Sequence, residues 1–159
     1  QVALGRILFA RGADAKEVLD QSFNAVIKKT PEHLDAYYAV AELALGKHDR
    51  ALAAESLQKA PKEAAQDPHY HYLMARAFAD AIRACPTAEL VMEPELGVVL
   101  FRRDGWGAAE WGRWAADLLT SGVAFVAPST YRGEPVGRVV FMHPRTPHSV
   151  IEGLIDSLS

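Results

Sequence analysis

The sequence predicts a chain of two unlike parts: an all-α helical repeat, then a small α/β subdomain with a mostly antiparallel sheet, the two joined by one continuous helix near residues 68–84. Three observations predict it. Apolar residues recur at helical spacing through the first half, alternating apolar runs separated by turn signals follow Pro86, and the charge composition changes between the two. Residues 1–79 hold all six lysines, four arginines and ten acids, whereas residues 80–159 hold no lysine, seven arginines and ten acids. The expected units are residues 1–79 and 80–159, each small enough to depend on the other for a core. With 50% hydrophobic and 23% charged residues the composition is that of a packed globular protein. A net charge of -3 gives no basic stripe for nucleic acid or acidic membranes, so neither is expected as a partner. A single cysteine, Cys85, makes no internal disulfide. No apolar run reaches the length of a membrane span and the first residues lack a signal-peptide pattern, so a reducing cytoplasm is the expected location.

Taking the helices in order, Val2 to Ala10 is apolar enough for a first helix, and Phe23, Val26 and Pro31 mark the end of a second. Tyr37, Val40, Ala41 and Ala44, then Ala53, Leu57 and Ala60, follow the i, i+3, i+4, i+7 spacing of two amphipathic helices around a turn at Gly46 and Asp49. Tyr37, Val40, Ala41 and Ala44 recur 34 residues later as His71, Met74, Ala75 and Phe78, in a helix that starts at Asp67-Pro68. This pattern resembles the tetratricopeptide repeat, a 34-residue helical pair. An unrelated helical hairpin bundle is the alternative. Two departures stand out: Val2–Ala10 is out of phase by about two residues, and Pro61 should end its helix a turn early. The resemblance implies a peptide or protein ligand in a groove lined by Asp35, Tyr38, Glu42 and Leu45, then His69, Tyr72, Arg76 and Ala79. Tyr38 and Tyr72 read equally well as packing residues. The lysine and asparagine pattern that clamps a peptide carboxylate in chaperone-binding members is absent.

Beyond Pro86, Leu90–Val91 and Gly97–Phe101 read as strands, Trp106–Ser121 as a helix, Val123–Ala127 and Arg138–Met142 as strands, and Pro147–Leu158 as a closing helix. Turns are expected at Asp104-Gly105, Ser121-Gly122 and Arg132-Gly133-Glu134-Pro135. This order, with Glu93-Pro94-Glu95-Leu96-Gly97-Val98-Val99-Leu100-Phe101-Arg102, Thr130-Tyr131-Arg132-Gly133 and Gly137-Arg138-Val139-Val140-Phe141-Met142-His143-Pro144-Arg145-Thr146, resembles the C-terminal subdomain of the group II amino-acid decarboxylases that depend on pyridoxal phosphate (PLP). The match spans about residues 75–159, so both resemblances claim Ala75 to Phe78. It implies a cofactor held as a Schiff base by a lysine on a separate large domain. No lysine lies between Glu63 and Ser159, and Gly46-Lys47-His48 is the nearest approach to the expected His-Lys pair. By the same resemblance Arg138 matches an arginine that binds the substrate carboxylate in some members; a strand-surface or salt-bridge role is the alternative.

Other chemistry is weakly signalled. His69 and His71 are two apart and so point to different sides of a helix, and His143 and His148 lack partners at ligand spacing, so no metal site is expected. Cys85 ends an apolar stripe and reads as a structural thiol, and no phosphate loop or serine elbow appears. The expected function is a non-catalytic fusion or fragment of natural or engineered origin: a helical interaction module joined to an orphan decarboxylase subdomain, with no catalytic residue and no bound cofactor. The alternative is part of a PLP-dependent decarboxylase whose large domain lies on another chain. A third reading is a peptide-binding repeat with the α/β half as its cap. The apolar surface left by a missing large domain would favour a homo-oligomer.

Overall fold

The computed structural model describes residues 1–142 and 146–158. Its helical half runs α1 (Val2–Ala10), α2 (Ala15–Val18), a π-helical segment (Leu19–Asn24), α3 (Ala25–Lys29), α4 (Leu34–Gly46), α5 (Arg50–Lys59) and a 3-10 turn (Lys62–Gln66). Then α6 (Pro68–Ala84) leads into β1 (Ala88–Leu90), β2 (Val98–Arg103), α7 (Ala108–Thr120), β3 (Ser129–Tyr131), β4 (Glu134–Val140) and α8 (His148–Asp156). The strands form one antiparallel sheet in the order β1-β2-β4-β3.

Helix α6 is built from both ends inward. The Asp67 carboxylate accepts from the His69 N–H at 2.9 Å, Pro68 fills the first turn where no donor is needed, and the chain turns away at Cys85-Pro86. Leu73, Met74, Ala75, Ala77, Phe78, Ala79, Ala81 and Ile82 are all buried, more than one amphipathic face can supply. The helix packs on α4 and α5 on one side and on β1, β2 and α8 on the other. One apolar core therefore runs across residues 79 and 80: Leu57, Leu73 and Met74 belong to the same cluster as Phe101, Trp111, Trp114, Ile151 and Leu154. At its centre the Phe78 ring meets Phe101 and Phe141 edge-on at 5.6 and 5.8 Å. Gly137 lets Trp111 and Phe101 close down on β4, since a Cβ there would sit 2.7 Å from both rings.

A second, smaller core lies on the α1 side of the stack: Val2, Val18, Phe23, Ala36, Ala39, Val40 and Leu43. The two-residue slip of α1 has a structural origin. Gly12 and His48 both turn the chain at positive φ (89° and 57°), 36 residues apart, and Ala13 N–H and Asp49 N–H close the same turn on Leu8 and Ala44. The helix caps Asp14 and Asp49, which accept from Glu17 and Leu52 N–H, are 35 apart. Phe23 and Leu57, the large residues of the following helices, are 34 apart. One extra residue in the turn and one absorbed by the π-helical turn account for the slip, since a π-bulge accommodates a single insertion.

Two sequence expectations need correction. Val123–Ala127 is not a strand: after Gly122 its first amides bond back to Leu118, and Phe125 lies 81% exposed. The outer strand is instead β3, which pairs with β4 through a two-residue turn at Arg132-Gly133, both at positive φ. Glu134 and Pro135, expected in the turn, open β4, which ends at Val140. The remaining strand expectations differ by one to a few residues at their ends. Helix α5 stops at Lys59, ahead of Pro61.

Candidate functional site

The first helix of each successive pair lines one side of the stack, so α1, α4 and α6 form its groove. With an offset of 36 into the first pair and 34 into the third, Arg6, Glu42 and Arg76 are equivalent positions, as are Asp35 and His69. Arg6 sets its planar fork against two carboxylates: its terminal nitrogens reach Asp35 at 2.7 and 2.8 Å, and its Nε donates to Glu42 at 2.8 Å. The other Glu42 oxygen lies 2.9 Å from His69 Nε2. The His69 ring lies between Tyr38 and Tyr72, with centroids at 5.1 and 6.1 Å, and the Arg76 guanidinium sits 5.9 Å from the Tyr72 ring. A continuous polar row thus crosses the three helices.

Its two arginines and two carboxylates balance in number, but both carboxylates are engaged by Arg6 and His69. The hydrogen bonds from Arg6 hold the Asp35 carboxyl below its ordinary range, more than its partial burial raises it. Beyond the row, Asp80 accepts His48 at 3.0 Å and Arg83 pairs with Glu93. Arg76 alone among the arginines of this surface has no carboxylate within ion-pair distance among the described residues. It opens on a cleft of about 260 Å³ lined also by Leu45, His48, Asp80, Arg83 and Glu93.

Of the groove residues expected from sequence, Asp35, Glu42, His69, Tyr72 and Arg76 come together, all half-buried. Tyr38, Leu45 and Ala79 are buried instead. Burial, then the neighbouring Asp67 carboxylate, push the Tyr38 hydroxyl well above the ordinary phenol range. Arg6 was not expected; the 34-residue grid passes it by, whereas the offset of 36 places it.

Arg138 stands apart from the groove, exposed on the sheet face away from α6, α7 and α8, opposite Leu100 on β2. Next to it Arg102 pairs with Glu134 at 2.6 Å. His143, Pro144 and Arg145 lie outside the described residues. All six lysines are exposed on the helical half. Among the described residues no group of three or more His, Cys, Asp or Glu is placed to hold a metal, and no helix is long and apolar enough to cross a membrane.

Residues 10–77 match the family model described as tetratricopeptide repeat. No curated protein matches the chain. Among solved structures, Oryza sativa TDC with PLP and tryptamine is 28% identical over 60% of this chain and 22% of its own, with a TM-score of 0.47. The glutamate decarboxylase domain of diaminobutyrate-pyruvate transaminase and L-2,4-diaminobutyrate decarboxylase from Vibrio parahaemolyticus is 21% identical over 78% of this chain and 25% of its own, with a TM-score of 0.46. The chain spans about a quarter or less of the length of these proteins. The chain is thus similar to the tetratricopeptide repeat over residues 10–77 and, over part of its length, to these two solved structures.

Proposed function

We propose that the chain is a non-catalytic interaction module whose groove takes an acidic peptide, with the α/β half closing the far end of the helical stack. The observation that carries this is the placement of Arg76. Equivalent positions of three successive groove helices read Arg6, Glu42, Arg76; Glu42 is shared between Arg6 and His69, and Arg76, over the Tyr72 ring, lines a cleft and has no acid partner among the described residues. A carboxylate arriving there would find the planar paired donors of Arg76, while the cleft's own acids, Asp80 and Glu93, are engaged by His48 and Arg83.

The test is fluorescence anisotropy of a labelled glutamate-rich octapeptide against the full chain, with its glutamine counterpart as reference. The glutamate peptide should bind more tightly, and Arg76→Glu should weaken it by about tenfold to a hundredfold, the range for losing a charged hydrogen-bonded pair. Equal affinity for both peptides, or no response to Arg76→Glu, would remove the reading.

A second reading has its own observation. The outer face of the sheet leaves Leu100 half-buried and Arg138 and Val140 exposed, a surface that a PLP-bearing large domain on another chain would cover. Adding such a chain with PLP and recording absorbance above about 400 nm, where the lysine-bound cofactor absorbs, tests it. An Arg138→Ala chain that supports the same band and the same turnover would exclude a substrate-carboxylate role for Arg138.

A further inference from the structure

A second cleft lies on the other side of α6 from the Arg76 groove. Tyr70 and Tyr72 are two residues apart and so face different sides of the helix. Tyr72 stands in the polar row, while Tyr70 lines a cleft of about 420 Å³ between the end of α5, the 3-10 turn and the start of α8. Pro61 shapes this place, ending α5 at Lys59 and sending the chain into the turn that brings Lys62 to the rim. Helix α8 begins at the cleft wall, behind Thr146 and Pro147, with no side-chain cap and no acid in its first turn. Its first amides therefore present the partial positive charge of a helix start. Tyr70 is 5% exposed, yet its hydroxyl has no hydrogen-bond partner among the described residues. Burial raises its pKa above the ordinary phenol value, so at neutral pH it is a donor. A buried phenol usually finds an acceptor, and the open space beside this one is the cleft. Lys62 is exposed, with no carboxylate within ion-pair distance among the described residues. Whereas the Arg76 cleft contains Asp80 and Glu93, the described lining of this one contains no acid.

We infer that this cleft binds a small organic anion, a carboxylate or phosphate head on an apolar body about the size of a benzene ring. The head is received by the Tyr70 hydroxyl, the Lys62 ammonium and the amides that open α8. A neutral donor, a full charge and backbone dipoles together suit an anion, and no group of the described lining suits a cation. The body lies against Leu57, Ala60, Pro61 and Ala64, an apolar wall that inorganic phosphate has no means of using. Lys62 and Tyr70 come from the helical half and α8 from the α/β half, so the bound anion ties the two together across α6. Its binding therefore stabilises the whole chain by mass action.

Isothermal titration calorimetry of the full chain with phenyl phosphate and with phenylacetate, in a buffer free of phosphate and carboxylate, is the test. Benzyl alcohol serves as the neutral reference and inorganic phosphate as the reference without a body. At least one aryl anion should bind saturably, more tightly than either reference, and raise the thermal midpoint of the chain. Tyr70→Phe keeps the ring and removes only the hydroxyl; it should weaken binding by about tenfold or more, the range for a hydrogen bond to a charged group. Lys62→Gln, at an exposed side chain that leaves the fold intact, should weaken it severalfold, since an exposed charge is partly screened. Lys59→Gln, at an exposed lysine paired with Glu55, should bind as wild type. So should Arg76→Glu, which separates this site from the groove. No binding of either aryl anion, equal binding of benzyl alcohol or of inorganic phosphate, or an affinity unchanged in both Tyr70→Phe and Lys62→Gln overturns the inference.

Discussion

Helices α1 and α6 hold equivalent places in one stack, yet they are packed in opposite ways. Helix α6 is covered on two sides, by α4 and α5 and by the sheet with α8, and nine of its residues are buried. Helix α1 is covered on one side only and buries two, Val2 and Gly5. A helical repeat needs something at each end because every pair exposes the face its neighbour would bury. At the α6 end the α/β half occupies the place of the next repeat, and Phe78, which the 34-residue period equates with Ala44, has become the ring on which Phe101 and Phe141 close. The difference teaches that the sheet is joined to the stack through a common core, whereas the α1 end has only a small local one.

The largest effect should come from breaking α6. Ala79 is fully buried in its middle, and Ala79→Pro removes a helical hydrogen bond and drives the ring against the preceding turn, at a cost of about 3 kcal/mol or more. All three tryptophans lie in the α/β half, so tryptophan fluorescence follows that half while far-UV circular dichroism follows mostly the helices. In the wild type the two probes should give one urea midpoint; in Ala79→Pro they should separate. Should the proline variant not fold, Ala79→Gly, costing about 1 kcal/mol, should shift both midpoints together. Probes that stay coincident in the proline variant at an unchanged midpoint would show that α6 does not couple the halves.

At the other end, Leu43→Ala tests whether the small core is local. Leu43 is 5% exposed in the cluster with Phe23 and Val40. Truncation should cost about 2–3 kcal/mol, the low part of the range for buried leucines, since few elements surround the cavity. Amide exchange should accelerate in residues 1–33 and stay slow in α6 and β2. Equal acceleration throughout would mean that the two cores unfold as one.

What the sequence reveals about this contrast depends on how local the determining physics is. Helix α6 is legible because Asp67-Pro68, the helical spacing and Pro86 all lie within it. Val123–Ala127 misleads because an apolar run reports burial and β-preference but not which edge it will find. The Arg132-Gly133 turn folds β3 onto β4 at close range and takes the place that the run would need. In the groove, Glu42, Tyr72 and Arg76 follow from the 34-residue period. Arg6 does not, since one extra turn residue and a π-helical turn move it off the grid; the sequence shows their sum as the slip of Val2–Ala10 but not where each falls. The burial of Tyr38 is likewise a tertiary fact, set by its neighbours on other helices.

The smallest effect belongs to the polar link that ties α1 to the stack. Arg6 lowers the Asp35 pKa in the folded chain, against an ordinary value near 3.8. A depressed folded pKa stabilises fully above the unfolded value and is lost as pH falls through the folded one. Wild type should therefore exceed Asp35→Asn in stability at pH 7, and the gap should close below about pH 4. Since the Asp35 side chain is 49% exposed, solvent screening holds that gap to about 0.2–1 kcal/mol. The comparison is best made by thermal unfolding of both proteins at pH 7 and near pH 3, with and without added salt. Salt should also narrow the gap at neutral pH, because a half-exposed ion pair is screened. A gap that persists unchanged at low pH would show that the asparagine acts through packing or hydrogen bonding at the start of α4, and that the charge on Asp35 does not hold α1 in place.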